Sequence, residues 1–436
     1  MSPSLSIVFK RVITLSKISL FLAPFFVSAQ SPKSIREKLQ TYFSKDAVVK
    51  NFVSIDDAGL YLYSSPTAKA RGEKPEISLN WDDVNNLSRI INSLSAQQLK
   101  SFLTHKDSIV AYINQNNGPK TFQGLKGLKV AIDPGHIGGS YAMGETESRC
   151  MTLQVDSLGH PDSIRLIEGN LTFFTAQILK KKLEEQGAQV ILSRPDTGIS
   201  ALDITYKEWK RRIKNRAYVD SLVKEDLLPA KDIPLLYRKL PDKVLFGRVF
   251  GSVDMAAIAK KFNAYKPDIS VVIHYNVNES NIGWKHPTNR DYVMTFVGGC
   301  VVAKDLESEA GRLNFLRLLI SPGIENSVKL SSKVVQHLSS DLGVPIAQKD
   351  DALYLSKNCL STPAVGVYSR DLALTRLIHG TLVYGEALYQ DNSMECCMLS
   401  GKGVDFKGCS ISQRIDQVAQ AYYEGIVDYV NSLARK

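Results

Sequence analysis

From Leu128 onward, short apolar runs alternate with long amphipathic stretches, and this alternation confines most of the chain to an α/β architecture. Residues 129–133 read as a strand halted by Pro134-Gly135. Residues 170–186 read as a helix, with Leu171, Phe174, Ile178 and Leu183 on its inward side and Gly187 closing it. Residues 188–193, 269–273, 292–297, 364–368 and 382–384 supply further apolar strands. The last helix carries Ile415, Val418, Tyr422, Ile426, Tyr429 and Leu433 on one face. Helices are therefore expected on both faces of the sheet.

Residues 30–114 do not share this pattern and read as a small N-terminal accessory unit. A turn at Asp56-Asp57-Ala58-Gly59 precedes a short strand at Tyr61-Leu62-Tyr63. Val84, Leu87, Ile90, Ile91 and Leu94 share one helical face, and Ser95 with Gln98 forms a capping box for a second helix bearing Leu99, Phe102 and Leu103. A linker over 115–126 opens with Gln115-Asn116-Asn117-Gly118-Pro119, and the α/β domain fills 127–436. Inside that domain, residues about 203–253 form a basic, partly helical insertion with Trp209, Arg211, Arg212 and Arg216.

The amino terminus reads as an address. Lys10, Arg11 and Lys17 precede an apolar stretch over 18–27, and Val27-Ser28-Ala29 gives the small-residue pattern of a signal peptidase site. A signal peptide over 1–29, cut before Gln30, predicts a periplasmic or extracellular protein. No run reaches the roughly 18 apolar residues of a transmembrane helix. Removing the leader takes three positive charges from the net +10 and leaves +10 − 3 = +7. An exported basic protein is drawn to anionic polymers such as cell-wall glycan rather than to nucleic acid, although scattered surface charge explains the balance equally well. Of the 6 cysteines, Cys396 or Cys397 with Cys409 could close a short loop. None of the cysteines has the spacing of a structural zinc site.

Ligands of open α/β sheets bind beyond the carboxyl ends of strands. His136 follows the first of these strands in Asp133-Pro134-Gly135-His136, and His274 directly follows residues 269–273, ahead of Tyr275-Asn276. Glu168 opens the helix after the first strand, where the dipole favours a carboxylate. Two imidazoles and a carboxylate with an open fourth position make a catalytic zinc site. Each residue alone has an ordinary explanation as a loop hydrogen-bonder or a capping charge. His160 and the Glu145/Glu147 pair stand as substitute ligands, and the His-Glu-x-x-His helix of many metalloproteases is absent.

Three segments carry a resemblance. Val130-Ala131-Ile132-Asp133-Pro134-Gly135-His136, Glu168-Gly169-Asn170-Leu171 and Asp268-Ile269-Ser270-Val271-Val272-Ile273-His274-Tyr275-Asn276 resemble the motifs of zinc-dependent N-acetylmuramoyl-L-alanine amidases, the type 3 family of cell-wall hydrolases. That family usually has His-Ala-Asn where this chain has His274-Tyr275-Asn276. The resemblance spans about 128–434, apart from the insertion, and implies a mixed, mostly parallel sheet flanked by helices, as in zinc exopeptidase-like folds. It further implies a Zn2+ ion on His136, Glu168 and His274, and peptidoglycan as substrate.

The family's catalytic acid/base is a Glu near the last strand, and two positions compete for it. Pro363-Ala364-Val365-Gly366-Val367 would put Tyr368 there and imply a dead enzyme. Val383-Tyr384-Gly385-Glu386 puts Glu386 there and also matches the family's downstream Asn and Glu with Asn392 and Glu395; Glu386 is preferred. A polar cluster is expected around Arg370, Asp371 and Arg376. Resemblance to a long-loop subgroup gives Arg370 a part in positioning substrate or an oxyanion. Some family members keep a helix over the zinc until a partner removes it, which implies an activator protein acting on the 203–253 insertion. The rival readings are a zinc exopeptidase and an inactive peptidoglycan-binding module.

Overall fold

The computed structural model describes residues 29–106, 109, 112–113, 124–154, 163–406 and 408–434, with only the backbone of Cys409 and Ala434. The expected signal peptide before Ala29, the opening of the linker, and His160 lie outside the described residues. Among them, no helix is long and apolar enough to cross a membrane.

The N-terminal segment folds as its local signals predict. A capping box between Ser31 and Ser34 starts the helix Pro32–Phe43, and the Asp56 turn joins Val53–Ile55 (β1) to Gly59–Leu62 (β2). Ile77–Asn80 (β3) completes a three-stranded antiparallel sheet. Asn80 caps the helix Trp81–Ile90, and Ser95 with Gln98 caps Ala96–Thr104 as expected. The unit docks on the helix Glu309–Ile320 of the larger domain, with Phe43 edge-on to Phe315 at 5.2 Å. Buried Lys38 donates to the Ser321 carbonyl at 2.5 Å and to Glu325 at 2.8 Å, and the Tyr42 carbonyl accepts from Cys300 N at 2.7 Å. Its apolar side chains run on into the main core without a break.

The larger domain contains Lys129–Pro134 (β4), Cys150–Leu153 (β5), Ile164–Ile167 (β6), Gln189–Leu192 (β7), Ile269–Asn276 (β8), Met294–Val297 (β9), Cys359–Ser361 (β10), Val367–Arg370 (β11) and Leu382–Tyr389 (β12). Seven of these form one sheet in the order β10-β11-β9-β12-β8-β4-β7. The run β12-β8-β4-β7 is parallel throughout, while β9 pairs antiparallel with β12 and β10 antiparallel with β11. The sheet is thus mixed and mostly parallel. Val130, Ile132, Val271, Ile273 and Val383 face the helices Glu168–Glu185, Gly323–Leu342 and Gln413–Ala434. Alternate residues, including Ala131, Val272 and Leu382, face the opposite layer.

That opposite layer is built largely by the 203–253 insertion and the helix Gly251–Tyr265. Trp209 is fully buried, 4.8 Å from Phe250 between ring centres, with Tyr206 and Phe246 completing the cluster. Ile137, next to His136, belongs to the same core.

Three sequence expectations need correction. β8 continues to Asn276 and β12 to Tyr389, so His274 and Glu386 lie within strands rather than after them. The strand expected over 364–368 is displaced to Val367–Arg370, because Gly366 at φ 75° ends a turn there. Cys396 and Cys397 carry free thiols, so the short disulfide loop is not formed.

Candidate metal centre

β4, β8 and β12 are parallel neighbours, and the candidate site lies where they end. His136 follows β4 in a left-handed conformation (φ 62°), which is uncommon for a side chain with a Cβ and typical of functional loops. The loop is held from several directions. Gly135 N donates to Ile273 O at 2.9 Å, and the Gly135 carbonyl accepts from Thr172 Oγ1 at 2.6 Å and Arg194 Nη2 at 3.2 Å.

Two glycines permit the approach of the three elements. A Cβ on Gly135 would lie 2.3 Å from the His274 ring, and one on Gly169 would lie 2.3 Å from Gly138 N. Glycine at these positions lets the loop lie against His274 and lets the helix Glu168–Glu185 abut the loop. Asn170 then ties the contact by accepting from Gly139 N (2.7 Å) and donating to Gly139 O (3.1 Å). Glu168, at the first turn of that helix, arrives between the two imidazoles.

Glu168 Oε1 lies 3.3 Å from His136 Nε2 and 3.1 Å from His274 Nδ1. One ligand atom from each of the three residues falls within 4.8 Å of the others, the one such group among the described residues. Donors about 2.1 Å from a tetrahedral ion are separated by roughly 3.4 Å, so these spacings and this donor set fit zinc. The rings meet edge to face at 4.7 Å, and His274 stacks on Tyr384 at 4.7 Å.

Electrostatics divide the site. Burial disfavours charge on Glu168, but His136 and His274 outweigh it and hold the carboxyl well below its usual range. Burial likewise opposes charge on His136, yet Glu168 and Glu147 raise the ring to about 9. His274 is pushed down by burial, only partly countered by Glu168. Glu386 moves the other way: burial, and then the nearby Glu168 charge, raise it to about 8, against the pull of Arg370, His136 and Arg149.

Glu386 pairs with His274 in the β12–β8 ladder and projects from the same face. It accepts no hydrogen bond from a described residue. Tyr368, the competing position, lies on β11, two strands beyond β12, and its buried hydroxyl donates to Ala347 O at 2.8 Å. Arg370 ends β11 with its guanidinium over the rings of Phe296 (4.9 Å) and Tyr354 (4.8 Å) and donates no hydrogen bond to a described residue. The expected cluster therefore splits: Arg376 binds Asp371 at 2.5 Å and Asp305 at 2.8 Å, leaving Arg370 out. Asn392 caps the helix Ser393–Ser400, and Glu395 is buried against Arg414, with Arg414 Nε donating at 2.8 Å.

Glu145 is exposed. Glu147 does not complete the ligand set; it contacts His136 Nδ1 at 3.1 Å, behind the ring. Arg149, absent from the sequence candidates, donates from Nε to His136 Nε2 at 3.0 Å. Only the fold brings Arg149 to the histidine, whereas Glu147 stood among the substitute ligands and is found beside His136 rather than within the triad.

No family model and no curated protein matches the chain. Among solved structures it is similar to the apo form of the N-acetylmuramyl-L-alanine amidase Ami1 from Mycobacterium abscessus, at 16% identity and TM-score 0.36, covering 70% of this chain and 99% of that one. It is also similar to Ami1 from Mycobacterium smegmatis (15% identity, TM-score 0.38, covering 71% and 100%). A third is the CwlD amidase from Clostridioides difficile in complex with the GerS lipoprotein (15% identity, TM-score 0.36, covering 70% and 98%). All three of these solved structures are amidases.

Proposed function

We propose that this chain is an exported zinc amidase that hydrolyses the bond between the lactyl group of N-acetylmuramic acid and L-alanine in peptidoglycan. The observation that carries the proposal is the convergence of His136, Glu168 and His274 within 4.8 Å, on the rim that also presents Glu386. His136, Glu168 and His274 would hold the ion. Bound zinc supplies Lewis acidity toward a carbonyl oxygen and a water.

Glu386 does the proton work. Burial and the Glu168 charge raise its carboxyl to about 8 in the ion-free site; as a carboxylate it would take a proton from water and pass it to the leaving amine. Arg370, set against two rings and without a hydrogen-bond acceptor among the described residues, presents its cation to an oxyanion or a substrate carboxylate. The leader pattern supports action outside the cytoplasm, and the charge of +10 − 3 = +7 left after its removal is compatible with an anionic polymer as substrate. Metal analysis of wild type beside His136→Ala and His274→Ala tests the ligand set. Digestion of purified cell wall should release stem peptides bearing a free L-alanine amine, and their absence would refute the amidase reading.

Arg370 also favours a second reading, because a zinc exopeptidase needs a cation for a terminal carboxylate. Release of single amino acids from free peptides, with no stem peptides from cell wall, would select it. An activator acting on residues 203–253 belongs to the main proposal. Deleting the insertion would strip the core it shares with Ala131 and Val272, so loosening it is the better test. Trp209→Ala should raise basal hydrolysis if the insertion restrains the site; unchanged or lower turnover in a folded variant counts against restraint.

A further inference from the structure

The segment that ends the helix Tyr141–Glu147 and leads into β5 touches His136 with two side chains of opposite charge. Glu147 Oε1 lies 3.1 Å from Nδ1, and the same carboxylate accepts from Ile137 N at 3.1 Å and Gly138 N at 3.5 Å. It is thereby fixed to the very loop whose ring it faces. Arg149 Nε donates to Nε2 of that ring at 3.0 Å and lies 3.8 Å from Glu168 Oε2. The Arg149 guanidinium rests over Trp284 at 5.3 Å.

An imidazole that ligates a cation is neutral, and in that form, because a guanidinium has donors only, the nitrogen facing Arg149 is the one that accepts. The ring proton then sits on Nδ1, where Glu147 accepts it. His136 is left with a single lone pair, on the nitrogen that also faces Glu168 at 3.3 Å. That lone pair can serve Arg149 or a cation, not both.

We propose that Glu147 and Arg149 set the metal affinity of this site from opposite sides: Glu147 positions His136 in its ligating tautomer, and Arg149 competes with a divalent cation for the lone pair on Nε2. The inference rests on the reading of His136, Glu168 and His274 as metal ligands. Arg149 can swing away, because its side chain is 38% exposed and its one other hydrogen bond among the described residues is to the adjacent Ser148 carbonyl at 3.0 Å. The guanidinium also leaves Glu168 with a cationic neighbour whenever no ion is held there. Neither residue is a ligand; both act through one.

Zinc affinity of the full chain, measured by competition with a chromophoric chelator, tests this without any substrate. Arg149→Met and Arg149→Gln should bind zinc several-fold more tightly than wild type. Glu147→Ala should bind about 10- to 100-fold more weakly. Glu147→Gln, whose amide oxygen can still accept from Nδ1, should fall between. A merely structural role would weaken binding in every variant, so tighter binding on removing Arg149 is the decisive sign. Equal or weaker binding in both folded Arg149 variants overturns the competition. Wild-type affinity in Glu147→Ala, or a histidine nitrogen-15 spectrum placing the His136 proton on Nε2, overturns the positioning. If wild type and His136→Ala bind zinc alike, the metal reading fails first and takes this inference with it.

Discussion

Glu386 and Glu395 sit on either side of one turn, and both are enclosed by the protein, yet they are treated in opposite ways. Glu395 is locked against Arg414, itself tied to the Leu342 carbonyl at 3.0 Å, and the pair joins the helix Ser393–Ser400 to the last helix. Glu386 has no hydrogen-bond donor among the described residues; burial first, and then the neighbouring Glu168 carboxylate, hold its proton up to about 8. The first arrangement satisfies a charge and fixes the fold. The second leaves a charge unsatisfied and so creates a group able to trade protons near neutrality. Distance along the chain did not decide which was which; the presence of one arginine did.

That contrast breaks first at Glu386. Glu386→Gln should lower hydrolysis of cell wall by about 10²- to 10⁴-fold while zinc content and melting temperature stay near wild type. Retained turnover would remove Glu386 from the chemistry. Arg414→Ala should do the reverse, costing about 3–5 kcal/mol in urea unfolding because Glu395 is left buried and unpaired, with the zinc stoichiometry of the folded fraction unchanged.

A pH experiment sharpens the comparison. In metal-free protein, native Glu386 keeps its proton up to about 8 whereas the unfolded chain gives it up near the ordinary value of 4.5. Native protein then binds more protons than unfolded protein across that window. The contribution of Glu386 is therefore most favourable below the ordinary value and is lost as pH rises toward about 8. His136, raised to about 9, adds a loss of the same sign above its ordinary 6.5. Melting temperatures in a chelator should fall over this range in wild type and fall less in Glu386→Gln; parallel curves would contradict the raised carboxyl. The smallest effect belongs to Tyr368→Phe, which removes one hydrogen bond to Ala347 and should cost about 1 kcal/mol with turnover unaltered. A large loss of turnover there would revive Tyr368 as a site residue.

Much of this was legible in the sequence because it is written locally. The periodic apolar residues announced the helices on the main core, Ser95 and Gln98 announced a cap, and Pro134-Gly135-His136 announced a strand end bearing a candidate ligand. The strand ends were misjudged where side chains serve two masters. β8 runs past His274 because Tyr275 still packs inward, bonding Thr175 at 2.7 Å, and β12 runs past Glu386 because Ala387 and Leu388 are buried beyond it. A polar residue there is chemistry set inside a strand, and read locally it looks like the strand's end. Glu147 was named as a possible ligand, but its place behind the His136 ring, like the whole of the Arg149 contact, comes only from the fold. Nothing in the residues around Arg149 encodes that approach.

The aromatic core beneath the 203–253 insertion has a consequence for how such a chain can change over generations. Trp209, Phe246 and Phe250 share one core with Ala131 and Val272, and with the helix Gly251–Tyr265 they cover that face of the sheet. A lineage could not shed the insertion in one deletion and survive with a bare apolar sheet face. It would first have to repaint those strand positions with polar residues, each of which would be buried and unsatisfied for as long as the insertion remained. Every route out passes through a worse protein, so the segment, however it was acquired, is now held in place by the surface it covers.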